Sequence, residues 1–142
     1  MANAKMTVAE LEAFLHREFP QAFSAGHIMI ESADGTSSLL RQPYSEQMLR
    51  PGGTISGPTL MALADFAMYV ALLSAIGPIG LALTTNLTIN FLRRGQPGQD
   101  IVAAARLLKI GKRLAFSEVH LLSGTSPDPI AIASATYSIP NT

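Results

Sequence analysis

The chain has no cysteine, which removes disulfides, thiolate nucleophiles and cysteine-ligated zinc from consideration. Charge is scarce as well. Charged residues fill 14% of the 142 positions and cancel to a formal net charge of +0, so nothing electrostatic argues for nucleic acid or an acidic membrane as partner. No basic run or ladder of aromatic residues argues otherwise. His16, His27 and His120 lie far apart, and no pair has the spacing of metal ligands. The opening stretch MANAKMTVAELEAFLHREF has acidic residues and no apolar segment. A secretory signal is therefore not expected, and a cytoplasmic location is the default. No repeat, linker or low-complexity tract interrupts the chain.

What is plentiful is apolar surface. Hydrophobic residues reach 48%, more than one soluble copy readily hides, so part of the surface is expected to lie against another subunit. The length suits one domain, residues 1–142, with a substantial core. Phe66 to Leu83 is uncharged and long enough to imitate a membrane span. The Gly-Pro-Ile-Gly run from Gly77 to Gly80 should end the helix near Ile76, and no Lys or Arg anchors it on the near side. A helix apolar all round but too short to span reads as the buried centre of a fold.

Local signals set the order of elements. Thr7 to Glu10 (TVAE) has the capping-box pattern, with Met6 and Leu11 placed as a hydrophobic staple, and predicts an amphipathic helix over about 7–19. HIMIES and SSLLRQPY, joined by the turn ADGT, read as a hairpin. Ser56 is a natural N-cap for a helix over about 57–76, with Gly57 and Pro58 in its first turn. TTNLTINFL then alternates, with Thr85, Leu87, Ile89 and Phe91 on one face and Thr84, Asn86, Thr88 and Asn90 on the other. DIVAAARLLKI, KRLAFSEVHLL and PIAIASATYSI read as three further strands, joined by the short turns RRGQPGQ, GK and SGTSPDP. The class is α+β: an antiparallel sheet covering a central apolar helix, with an extra helix at the N-terminus.

Asp65 is the one anomaly in that helix, being the only charged residue between Arg50 and Arg93. Two readings stand. A buried carboxylate can be structural, accepting hydrogen bonds from backbone or an arginine. It can also serve as general base toward water or as nucleophile toward an acyl carbon. The second role needs donors for an oxyanion, and the free N–H groups of a helix start supply them. Gly57 offers one with no side chain in the way, whereas Pro58 has none to offer. Eight residues separate Gly57 from Asp65, about 12 Å of axial rise, so one helix cannot readily serve one carbonyl with both. Two helices related by a two-fold axis can, and a catalytic Asp65 therefore predicts at least a dimer with sites between subunits.

From about Ser45 to Ile139 the chain resembles the hotdog-fold acyl-CoA thioesterases of the phenylacetate-degradation (PaaI-like) type. The family pattern has an Asn and a Gly, then His-Gly-Gly opening the helix and Asp nine residues after the His. Here SGPTLMALAD places Asp65 nine after Ser56, and TTNLTINFLRR, LLKIGKRLAF and AIASATYSI follow in family order. The resemblance implies a sheet wrapped round the central helix, with copies joined sheet edge to sheet edge as a homodimer or homotetramer. The implied substrate is an acyl-CoA, with no cofactor beyond the CoA it carries. It casts Asp65 as general base or nucleophile, Gly57 N–H as the group polarising the thioester carbonyl, and Thr84 as a water-orienting hydroxyl, with Thr85 the neighbouring alternative. It offers Arg93, Arg94, Lys112 and Arg113 for CoA phosphates, although each also reads as part of a solvated turn. Ser56 replaces the family's histidine, Pro58 its second glycine, and Arg50 stands where its asparagine is expected. Ser56 still caps the helix, and Arg50 can donate to a carbonyl or phosphate. Tyr69, with Met61, Phe66 and Met68, is a candidate for the acyl pocket or simply core. A binding protein that holds acyl-CoA without hydrolysing it is the alternative. A hydratase is disfavoured because no histidine lies near Asp65 in sequence.

Overall fold

A computed structural model describes residues 4–23 and 27–140. Helix α1, Val8–Glu18, starts at the expected capping box: Glu10 N donates to Thr7 Oγ1 at 3.1 Å and Thr7 N donates to Glu10 Oε1 at 2.9 Å. Met6 and Leu11 are both buried beside it, as a staple requires. After a single 3-10 turn, Pro20–Phe23, come β1 (Met29–Ala33) and β2 (Ser37–Gln42). Their turn places Gly35 at φ 92°, a conformation glycine adopts without steric cost. The Asp34 carboxylate closes the turn by accepting the N–H groups of Thr36 and Ser37 at 2.9 and 2.8 Å.

Helix α2, Gly57–Ile76, is capped by Ser56 and ends at Gly77, whose φ is 100° and whose N–H reaches Leu73 O at 2.9 Å. By length and composition α2 could cross a membrane, but Phe66 through Ser74 is buried without interruption inside the fold. Strands β3 (Leu83–Phe91), β4 (Ile101–Ile110), β5 (Leu114–Ser123) and β6 (Ala131–Ser138) complete a six-stranded sheet of order β1-β2-β4-β5-β6-β3, antiparallel at every junction. Its inner face packs on α2. Alanines meet there from both sides, Ala103, Ala105, Ala133 and Ala135 from the sheet and Ala64, Ala67 and Ala71 from the helix, all essentially buried. Such small contacts let the helix lie close to the strands.

Two sequence expectations change. The stretch 92–100 is not a short turn between neighbours. It carries the chain from one edge of the sheet past β6 and β5, because β3 pairs with β6 while β4 pairs with β2 and β5. The faces of β3 are also reassigned at its start. Thr84 lies opposite Tyr137 and Asn86 opposite Thr136, so Thr85 is an extra residue in the ladder. Thr85 turns its hydroxyl to Thr136 O at 3.2 Å. That bulge moves Thr84 off the row of Asn86, Thr88 and Asn90 and onto the helix side.

Candidate active site

Three elements meet at Asp65. The residue sits on α2 where the helix passes the start of β3 and the end of β6. Its Oδ1 accepts the Thr84 hydroxyl at 2.6 Å and the Tyr137 hydroxyl at 2.8 Å. Tyr137 also lies 3.2 Å from the Asp65 backbone carbonyl, which its hydroxyl can reach as a second acceptor. Oδ2 accepts no hydrogen bond among the described residues. The carboxylate is half-buried, with two hydroxyl donors on one oxygen and none on the other among the described residues.

The surroundings are aromatic. Tyr137 stacks on Tyr69 with ring centroids 5.9 Å apart, and Tyr69 donates to Gly80 O at 3.2 Å. Burial, and then the negative charge of Asp65, push the Tyr137 phenol well above its ordinary range, so it is a donor at any working pH. Burial, followed by the charge of Glu18, raises Tyr69 in the same sense.

Asp65, Tyr69 and Tyr137 form a wall between two cavities. One, of about 350 Å³, runs inward past Phe19, Ala22, Met48 and Phe66 to Gln42. The other, of about 440 Å³, opens past Gly80, Leu83 and Thr84. A group lodged in one cavity and continuing into the other would therefore pass the Asp65 side chain.

The remaining sequence candidates fall in two other places. Gly57 starts α2 beside β3, where an added Cβ would lie 3.2 Å from Phe91 Cζ. Its N–H finds no acceptor among the described residues; the Ser56 hydroxyl accepts Thr59 N at 3.3 Å and shares a hydrogen bond with the Thr59 hydroxyl at 2.8 Å. Arg50, Arg93 and Arg94 line one surface depression with Gly57, and Arg93 is tied to Pro129 O. Lys112 and Arg113 lie apart, at the β4–β5 hairpin. Within one chain, then, Asp65, Thr84 and Tyr69 come together while Gly57 and the arginines do not join them.

The family model described as Thioesterase superfamily matches residues 52–129, more than half of the chain. The chain belongs to the thioesterase superfamily. Human acyl-coenzyme A thioesterase 13 is 30% identical over 117 residues, covering 82% of this chain and 82% of that protein. A solved structure from Silicibacter sp. TM1040 matches with a TM-score of 0.89 at 37% identity, covering 98% of this chain and 95% of the other. E. coli PaaI shares the fold, with a TM-score of 0.77 at 22% identity over 92% of this chain and 95% of its own. The hotdog architecture of the superfamily accounts for the long apolar helix under the sheet.

Tyr137 was absent from the sequence candidates for this superfamily member. Its signal is the inward row Ala131, Ala133, Ala135, Tyr137, in which it is the only residue with a polar tip. The row is readable from alternation. That it ends opposite Thr84 depends on β3 pairing with β6, which alternation does not reveal.

Proposed function

We propose that the protein is an acyl-CoA thioesterase acting on a small aromatic or short to medium-chain acyl group, with Asp65 as its general base or nucleophile. The observation that carries this reading is a half-buried carboxylate with one oxygen held by Thr84 and Tyr137 and the other free, in the wall between two cavities. In the general-base route Oδ2 takes a proton from water, whose oxygen attacks the thioester carbon. The C–S bond then breaks, and the thiolate leaves and is protonated to CoA thiol as the acid is released. In the nucleophile route Oδ2 attacks the same carbon, the C–S bond breaks and the thiolate leaves to be protonated, and water then hydrolyses the mixed anhydride, freeing the acid and restoring the Asp65 carboxylate.

Either route needs an oxyanion donor, and a dimer supplies one. Strand β3 is the last in the sheet, with its outer edge unpaired among the described residues. Antiparallel pairing of β3 with a second copy about a two-fold at Thr88, with Thr85 left as the extra residue, sets Thr84 of one chain against Phe91 of the other. Asp65 lies at Thr84 and Gly57 lies at Phe91. The pairing therefore brings each Asp65 toward the partner's Gly57 and its unengaged N–H. Arg50, Arg93 and Arg94 travel with that glycine and fit the CoA phosphates, with Lys112 and Arg113 as a second cationic surface.

The test is thiol release from short, medium-chain and aromatic acyl-CoAs by wild type and Asp65→Asn. Wild type should turn over, and the variant should fold and dimerise but lose about 10²- to 10⁴-fold in kcat. Equal turnover in both proteins would remove Asp65 from the mechanism. Saturable acyl-CoA binding without thiol release from wild type would favour the binding-only alternative, in keeping with a Ser56 hydroxyl already committed to Thr59.

A further inference from the structure

We infer that Tyr137 is a positioning residue that fixes Oδ1 of Asp65 and so selects Oδ2 as the oxygen that meets water or the acyl carbon. The inference rests on the thioesterase reading given above. A carboxyl group turns about its last torsion in a broad, nearly two-fold well, so an unrestrained Asp exchanges its oxygens freely. Here both hydroxyl donors reach the same oxygen, Thr84 at 2.6 Å and Tyr137 at 2.8 Å. The exchange would break two hydrogen bonds to a charged group at once.

The two donors are not equivalent. Thr84 comes from the exposed strand β3, on a short arm beside a bulge. Tyr137 comes from β6 with 4% of its surface exposed, its ring held against Tyr69, which is itself tied to Gly80. Only the tyrosine has a position fixed by core packing, and its reach to both the side chain and the backbone carbonyl of Asp65 relates the carboxylate to the helix itself. Its phenol keeps its proton, so it holds the carboxylate rather than relaying a proton.

Tyr137→Phe keeps the ring and its stacking while removing the donor. Thiol release should show kcat reduced about ten- to a hundredfold with KM nearly unchanged, because misplacement of a reacting group is felt in the chemical step. Combining it with Thr84→Val should cost less than the product of the single losses, since both act on one oxygen. A second readout does not need turnover: the side-chain carboxyl ¹³C resonance of Asp65, in protein labelled at aspartate, should move in Tyr137→Phe and stay in place in Tyr44→Phe, whose residue follows β2 with its backbone N–H on Asp100. Unchanged kcat with an unmoved resonance would overturn the role of Tyr137 and leave the thioesterase reading intact. A wild type without hydrolysis would refute that reading, and the resonance would still decide whether Tyr137 holds Oδ1: displaced, it supports the hold, and unmoved, it overturns it. Equal losses in kcat and in folded fraction, with KM raised, would mark Tyr137 as merely structural.

Discussion

Strands β6 and β3 lie side by side in one sheet and each turns one row of side chains toward the helix, yet they meet different surroundings. In β6 every inward residue, from Ala131 to Tyr137, is buried under α2. In β3 no residue is fully buried, and Leu83 and Phe91 are 66% and 52% exposed. The helix covers the middle of the sheet and reaches its last strand only in part, at Thr84 and with Leu87 and Ile89 half-buried against the core. An edge with unpaired backbone groups and large apolar side chains is one that natural proteins normally cover. One chain alone buries the inward side of β6, whereas the outer edge of β3 is open among the described residues. Asp65 stands on the boundary, held by one hydroxyl from each strand.

If the β3 edge is completed by a second copy, charge placed there should cost activity more than it costs folding. Leu83→Glu combined with Phe91→Glu should yield monomers by light scattering, with kcat/KM down about a hundredfold or more and the helical signal retained. An active monomer would break the comparison, because β3 would then need no partner. In the covered region the order of effects reverses. Leu72 is fully buried in α2, and Leu72→Ala should cost about 2–5 kcal/mol in denaturant unfolding, whereas Leu83→Ala should change monomer stability by less than about 0.5 kcal/mol. Equal costs would mean that β3 is packed as well as the core.

The smallest effect lies at the far edge of the sheet. Backbone N–H groups, that of Thr36 foremost, hold the Asp34 carboxyl below its ordinary value. A carboxylate depressed in the folded state contributes stability that is fully present above its unfolded pKa, about 3.9, and lost as pH falls through the folded one. Asp34→Asn should therefore leave less to lose at acid pH, flattening the stability profile below about pH 4 without changing turnover at neutral pH. A profile unchanged by the substitution would show that the turn contributes nothing titratable.

Much of this was legible in the chain because each signal was local. The Thr7–Glu10 box, the Asp34-Gly35 turn, the Ser56 cap and the stop at Gly77 all act within a few residues, and all four work as read. Asp65 declared itself as a lone charge in an apolar helix. Long-range facts were not legible. The crossing of 92–100 depends on which strands pair, and alternation carries no information about neighbours. The bulge at Thr85 inverted the expected face of Thr84, since one inserted residue moves every preceding side chain to the other side. Tyr137 went unread for the same reason, as its value comes from lying opposite Thr84.

The claim on which all of this turns is that one site is built from two chains, Asp65 from one and Gly57 from the other. Asp65→Asn and Gly57→Val, each inactive alone, can be unfolded together, refolded as a mixture and assayed for thiol release. Random pairing makes half the dimers mixed, and each mixed dimer holds one site with both lesions and one with neither, so about a quarter of wild-type turnover should return. A mixture as inactive as its parents, with mixed dimers shown to form, would contradict the shared site.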